Sequence, residues 1–162
     1  MTIFEIEKQL KSNYSLTFIY ISEYYTLIWD RFFLCSRYSL FATDAVFKSQ
    51  KSLEELCGRT YLLDGVLLAD AIKSIVIPRY DDPCWKTYEA VRHSAIIQQN
   101  EISFNYDERN YWITHPGNST SYLTDDYGNS QIFKSCRDLF EFASIDGKSL
   151  REIWNDVIVY TC

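Results

Sequence analysis

The feature that most constrains this 162-residue chain is a short motif that occurs in it twice. Phe47-Lys48-Ser49-Gln50-Lys51-Ser52-Leu53-Glu54-Glu55 recurs as Phe133-Lys134-Ser135-Cys136-Arg137-Asp138-Leu139-Phe140-Glu141, giving the pattern F-K-S-x-[KR]-x-L-x-E. A second pair follows in the same order: Asp64-Gly65 and Asp146-Gly147, trailed by Ile72 and Trp154, Ile75 and Val157, and Ile77 and Val159. One recurrence arises easily by chance. Two in order, each trailed by the same apolar spacing, point to an internal duplication with halves at 1–81 and 82–162.

Each motif carries a local expectation. Ser49 and Ser135 stand where an N-cap belongs, after an extended apolar residue and before a helical run, which places helices at 50–57 and 136–143. In the Asp-Gly elements glycine permits the positive φ of a turn and Asp bonds the local backbone. Second helices then start directly, at 66–74 and 148–156. Upstream, 31–36 and 39–47 in the first half and 101–106, 111–114 and 121–124 in the second read as strands. The turns among them include Pro116-Gly117-Asn118 and Tyr127-Gly128-Asn129. Thr2 and Glu5 form a capping box for a helix to about residue 11, and 85–98 reads as its counterpart after Pro83. Residues 14–22 read as a strand, and 23–30 fit either helix or strand. The segment 78–83, with a proline at each end, is the linker between halves. The expected fold is therefore α+β: one compact unit of two sequence-related halves, each helix, strands, capped helix, helix, with antiparallel sheet packed on helices. Whether the halves share one sheet stays open.

Composition limits what such a fold can do. A net charge of −6 lacks the clustered Lys and Arg that phosphate neutralisation requires, so nucleic acid is not an expected ligand and a basic protein is. Thirteen Tyr, ten Phe and four Trp exceed what a core of this size demands, so some tyrosines should lie at the surface, where they supply interface hot spots. Cys35, Cys57, Cys84, Cys136 and Cys162 are odd in number and include no C-x-x-C pair, which reads as reduced thiols in the cytoplasm. The N-terminus, with Glu5, Glu7 and Lys8, lacks the pattern of a signal peptide, and no stretch is apolar enough to span a bilayer.

Catalytic chemistry finds little to stand on. His93 and His115 lack metal-ligand spacing, and Cys84 with His93 is the one conceivable nucleophile and base or ligand pair. His93 reads more simply as one face of an amphipathic helix. No Gly-rich phosphate loop or nucleophile elbow is present. The carboxylate pairs Asp81/Asp82, Asp107/Glu108 and Asp125/Asp126 each flank a turn or strand end, where Asp bonds its own backbone. The expectation is no catalytic residue, cofactor or metal. Each pair does stand beside tyrosine, so Tyr80, Asp81, Asp82, Tyr106, Asp107, Glu108, Tyr111, Asp125, Asp126 and Tyr127 are the expected contacts for a basic partner.

The stretch from Tyr111-Trp112-Ile113-Thr114 through Tyr122-Leu123-Thr124 and Phe133-Lys134-Ser135 to Ile145-Asp146-Gly147-Lys148-Ser149-Leu150-Arg151-Glu152-Ile153-Trp154 resembles small bacterial immunity proteins of polymorphic-toxin and contact-dependent growth inhibition systems. The resemblance covers about a third of the chain directly. It implies a cytoplasmic antitoxin that binds a cognate toxin domain, often a nuclease, and occludes its active site or substrate surface. An RNase is the expected target, because an acidic surface can occupy a groove built for a polyanion. The chain would be monomeric without its toxin. Two rivals stay open: a small enzyme using Cys and His or a carboxylate pair, and a homo-oligomeric scaffold joined through exposed aromatics.

Overall fold

Thr2 lies in extended backbone, its hydroxyl accepting from the Glu5 amide at 3.3 Å while the Glu5 carboxylate accepts from the Thr2 amide at 2.7 Å. This reciprocal cap satisfies two otherwise unpaired donors and starts helix α1 (Ile3–Asn13), whose Ile6 and Leu10 are fully buried on one face. The computed structural model describes residues 2–32, 35–43, 45–46, 49–78, 83–116 and 120–161. It divides into two units, Met1–Tyr80 and Asp81–Cys162.

In unit 1, Tyr14 ends α1 in the left-handed conformation and the chain enters an antiparallel meander of β1 (Ser15–Tyr20), β2 (Glu23–Phe32), β3 (Cys35–Ala42) and β4 (Ala45–Val46). The register sets Phe18 opposite Tyr25, and their rings stack 5.3 Å apart. With Leu27 and Leu40 they form the sheet side of a core closed by α1, α2 (Leu53–Arg59) and α3 (Leu68–Ala71). A 3₁₀ turn, Ile72–Ser74, leads to Val76, which bridges Ile19 on β1.

Unit 2 passes through the same kinds of element. After a 3₁₀ turn at Pro83–Lys86, the Thr87 hydroxyl accepts from the Ala90 amide and starts α4 (Tyr88–His93), which widens into a π-helical turn, Ser94–Gln98, and ends on Gln99 at positive φ. A meander follows: β5 (Ile102–Tyr106), β6 (Arg109–Thr114), β7 (Ser121–Asp125) and β8 (Ser130–Phe133). Here Phe104 stands opposite Tyr111, again stacked at 5.3 Å. Helix α5 (Cys136–Phe142) packs under the sheet through Leu139 and Phe140. A two-residue hairpin of β9 (Ser144–Ile145) and β10 (Lys148–Ser149) leads to α6 (Leu150–Ile153), a 3₁₀ turn at Trp154–Asp156 and β11 (Ile158–Thr161). Strand β11 returns antiparallel to β5, giving the order β11-β5-β6-β7-β8.

The architecture is α+β with antiparallel sheets, and several local expectations change. Ser135 caps α5, accepting from the Asp138 amide at 3.0 Å, but Ser49 caps nothing. The cap of α2 is Ser52, which accepts from the Glu55 amide at 3.1 Å, while the Ser49 hydroxyl pairs with that of Ser39. The F-K-S match therefore does not align the two helix starts: α2 begins three residues later in its copy of the motif than α5 does. The Asp-Gly turns close small hairpins instead of opening helices directly. Asp146 and Gly147, both at positive φ, link Ile145 to Lys148, and α6 begins only after the Ser149–Glu152 capping box. Segment 23–30 is strand, because only a strand presents Tyr25 and Leu27 to the core in alternation. The helix expected over 85–98 is instead a 3₁₀ turn, a short α-helix and a π turn. Strands β8 and β11 lie outside the expected strands; β11 follows the second helix of unit 2, and in unit 1 the second helix is followed by the isolated bridge of Val76 to Ile19. The turn at Pro116-Gly117-Asn118 lies partly outside the described residues, as do Phe47, Lys48 and most of the 78–83 linker.

Candidate functional site

Tyr80, Asp81 and Asp82 lie outside the described residues. The other seven expected contacts gather at one end of the unit 2 sheet, because pairing of Tyr106 with Arg109 and of Tyr111 with Asp125 sets the β5–β6 and β7–β8 connections side by side. Asp107 and Glu108 are the two central residues of the β5–β6 hairpin, both exposed and both at positive φ (49° and 62°). Positive φ at both positions is the twist a two-residue hairpin requires.

Asp125 organises the neighbouring connection. Its carboxylate accepts from the Tyr127 amide at 3.0 Å, the Asn129 amide at 2.8 Å and the Asn129 side-chain amide at 2.8 Å. These bonds favour the charged form, the Asn129 side chain most, and hold the carboxyl below its ordinary range. Asp126 ties the two connections together: its amide donates to the Asn110 carbonyl at 3.1 Å, and its carboxylate accepts from the Asn110 amide at 3.3 Å. The loop thrusts Tyr127 outward, 78% exposed. Arg109 lies among these acids, 3.9 Å from Asp146. Its own pKa is raised by its hydrogen bond to Tyr111 and then by Asp146.

Two of the expected surface tyrosines belong to the interior instead. Tyr111 is buried against Phe104, and Tyr106, half-buried, packs against the same core. Strand alternation explains both: Phe104, Tyr106, Tyr111 and Ile113 point inward, so Trp112 between the last two must point out. What this end offers a partner is thus Asp107, Glu108, Asp126 and Tyr127, with Asp125 as the internal strut.

The chemistry that sequence reasoning sought at Cys84 and His93 finds a different geometry. His93 is fully buried on α4, where burial lowers its pKa to about 4, so it is neutral at pH 7. Cys136 and His115 do meet, Sγ to Nε2 at 3.8 Å, with the His115 Nδ1 2.9 Å from the buried Ser121 hydroxyl. The three line a cavity of about 460 Å³ together with Gln99, Thr120 and Arg137. Burial raises the Cys136 thiol to about 12, leaving roughly one thiolate in 10⁵ at neutral pH. Among the described residues no three His, Cys, Asp or Glu side chains group as metal ligands, and Cys57 and Cys136 are not in disulfides.

A second surface escaped the sequence reading. The outward face of the unit 2 sheet carries Trp112 on β6, Tyr122 on β7, Ile132 on β8 and Ile158 on β11, the last three strands aligned with it through the pairings Trp112–Thr124, Tyr122–Ile132 and Ile158–Asn105. Ile132 is 65% exposed, Ile158 59% and Trp112 40%. The available signal was the unbroken run Tyr111-Trp112-Ile113, since a half-buried strand should alternate apolar with polar.

No protein-family model, curated protein sequence or solved structure matches the chain. Among the described residues no helix is long and apolar enough to cross a membrane.

Proposed function

We propose that this chain is an immunity-type protein that binds a basic toxin domain, a nuclease and most specifically an RNase, and occludes its active site or substrate surface. The observation that carries the reading is the end of the unit 2 sheet, where two adjoining connections present Asp107, Glu108 and Asp126 around the exposed ring of Tyr127. The Asp126 carboxylate, held by the Asn110 amide, loses little freedom when it meets lysine or arginine, and a neighbouring ring excludes water from the ion pair. The net charge of −6 favours encounter with a cationic partner. Such a protein acts in the cytoplasm, is monomeric when free, and needs no catalytic group, cofactor or metal.

We also propose that the two units derive from one duplicated ancestor. Supporting this are the stacked pairs Phe18–Tyr25 and Phe104–Tyr111, the caps Ser52 and Ser135, and the returns of Val76 to Ile19 and of Ile158 to Asn105.

The rival enzyme reading is favoured by one observation, the contact of Cys136 with His115, and opposed by the burial that keeps the thiol protonated. The test is co-purification of the tagged chain with the product of the adjoining upstream gene, and growth of cells expressing that product with and without it. A tight complex with rescued growth supports immunity. Absence of both overturns it.

A further inference from the structure

We infer that the outward face of the unit 2 sheet is the apolar centre of the partner interface, and that the partner meets it with an apolar patch bordered on one side by lysine or arginine. This rests on the reading above and adds the part of the surface that supplies most of the binding energy.

Water-facing positions of a one-sided antiparallel sheet are ordinarily polar and often charged. From Ser103 to Ile132 the outward positions of β5 to β8 carry no charge: Trp112, Tyr122 and Ile132 stand among the small polar side chains of Ser103, Asn105, Asn110, Thr114, Thr124 and Ser130. Among the described residues no further strand pairs with either edge strand of this sheet. Strand β8 ends the sheet with Ile132 and β11 ends it with Ile158, and neither has an outward lysine or a proline to repel a neighbour. Nothing about folding of unit 2 calls for these side chains, because its core lies on the other face, around Phe104, Tyr111, Ile113 and Leu123. Isolated exposed hydrophobes are ordinary; a tryptophan, a tyrosine and an isoleucine on the adjoining strands β6, β7 and β8 form a patch of the kind that marks a protein contact, with Ile158 beyond the polar β5 positions Ser103 and Asn105.

Size and charge then choose the occupant. A face of five strands, about 4.8 Å apart and about 17 Å long, covers roughly 410 Å² in projection. A specific complex takes ~800 Å² of accessible surface from each partner, more than so small a face supplies. The interface must extend past the sheet, and the adjoining end with Asp107, Glu108, Asp126 and Tyr127 is continuous with it through the β5–β6 and β7–β8 connections. The combined surface has an uncharged aromatic and aliphatic centre and acid on one border, the arrangement of hot-spot centre and charged rim found in protein complexes. A second copy of this chain would bring another −6 charge to it, whereas a basic partner complements it.

The test uses the full chain and the purified product of the adjoining upstream gene, with association and dissociation rates measured at low and high salt. Trp112→Thr and Ile132→Asp change exposed side chains, and a thermal melt within a few degrees of the parent shows that each variant folds. Each is expected to speed dissociation about thirtyfold or more while leaving association nearly unchanged. Glu108→Lys combined with Asp126→Lys is expected to slow association about tenfold at low salt, with the loss shrinking at high salt. Parental dissociation rates in both centre variants, with binding still sensitive to the charge reversals, would sink this inference and leave the proposed function standing. No binding and no growth rescue by the parent chain would remove the proposed function, and this inference with it. Self-association of the parent in light scattering, abolished by Ile132→Asp, would show the occupant to be a second copy and overturn the choice of a basic partner.

Discussion

Two sheets of similar build treat their second faces in opposite ways. In unit 1 the strand positions that alternate with the core ones are Thr17, Ile19, Tyr24, Thr26, Ile28, Ser39 and Phe41, none of them exposed, with the Thr17 and Thr26 hydroxyls 2.9 Å apart. In unit 2 the matching pair is Ser103 and Trp112, and Trp112 is exposed. The first helices differ in the reverse sense. Helix α1 buries Ile6 and Leu10 and leaves Lys8 in water, while α4 and its π turn bury Ala90, Val91, His93, Ser94 and Ala95. On the covered face of unit 1 the Thr17 and Thr26 hydroxyls satisfy one another at little volume, while the exposed ring of Trp112 lies outside the unit 2 core. The comparison teaches that the strand position beside a stacked Phe–Tyr pair can be covered in one unit and exposed in the other.

The sharpest way to break the comparison is to put one charge in both slots. Thr26→Asp buries an unpaired carboxylate and is expected to cost at least about 3 kcal/mol, enough to unfold unit 1 in a denaturant titration. Trp112→Asp is expected to cost about 1 kcal/mol or less, since the charge stays in water. Equal losses would erase the distinction between the faces.

The helices give the next largest effect. His93 sits near pKa 4 when folded, against an ordinary 6.5, because burial disfavours its charge. Between those values the unfolded chain takes up the proton and the folded chain does not, so stability falls as pH drops from 6.5 towards 4. The full contribution is on the order of 3 kcal/mol, and a His93→Gln variant should lose that part of the pH slope in melts across the same window. A slope unchanged in the variant would place the titration elsewhere.

Smaller still are the caps. Ser52→Ala and Ser135→Ala are each expected to cost about 1 kcal/mol and to speed hydrogen exchange at the Glu55 and Asp138 amides respectively. Ser49→Ala should leave the Glu55 amide as protected as before. If it does not, the F-K-S alignment was in step after all.

How far the sequence could be read follows from which signals were local. The Thr2–Glu5 capping box, the Ser135 cap and the strands around Phe104, Tyr111 and Leu123 were legible because each rests on a few neighbouring residues. Ser49 misled because two serines three residues apart compete for one helix start, and the choice depends on Ser39 reaching Ser49 across the sheet. Strands β8 and β11 were missed because Ser130–Phe133 and Ile158–Thr161 are short edge segments whose identity comes from partners far along the chain. Of the ten expected contacts, Asp107, Glu108, Asp126 and Tyr127 lie at the surface as expected, since turn chemistry places them there. Tyr111 went inward because its strand parity, invisible in composition, is set by Phe104 and Ile113. The outward face of the sheet was overlooked for the same reason in reverse.

The β5–β6 hairpin has a further consequence. Its two central residues both hold positive φ, a conformation that Asn-Gly adopts with little strain and that Asp-Glu adopts at a cost. Replacing Glu108 with glycine should therefore raise the melting temperature slightly, by the equivalent of about 0.5–1 kcal/mol, without changing the path of the chain. The hairpin of unit 1 bears the same burden with Ile21 and Ser22, also at positive φ. In unit 2 the forgone stability coincides with two exposed negative charges at the tip of the sheet, which makes the turn a place where rigidity of the fold has been exchanged for the character of its surface.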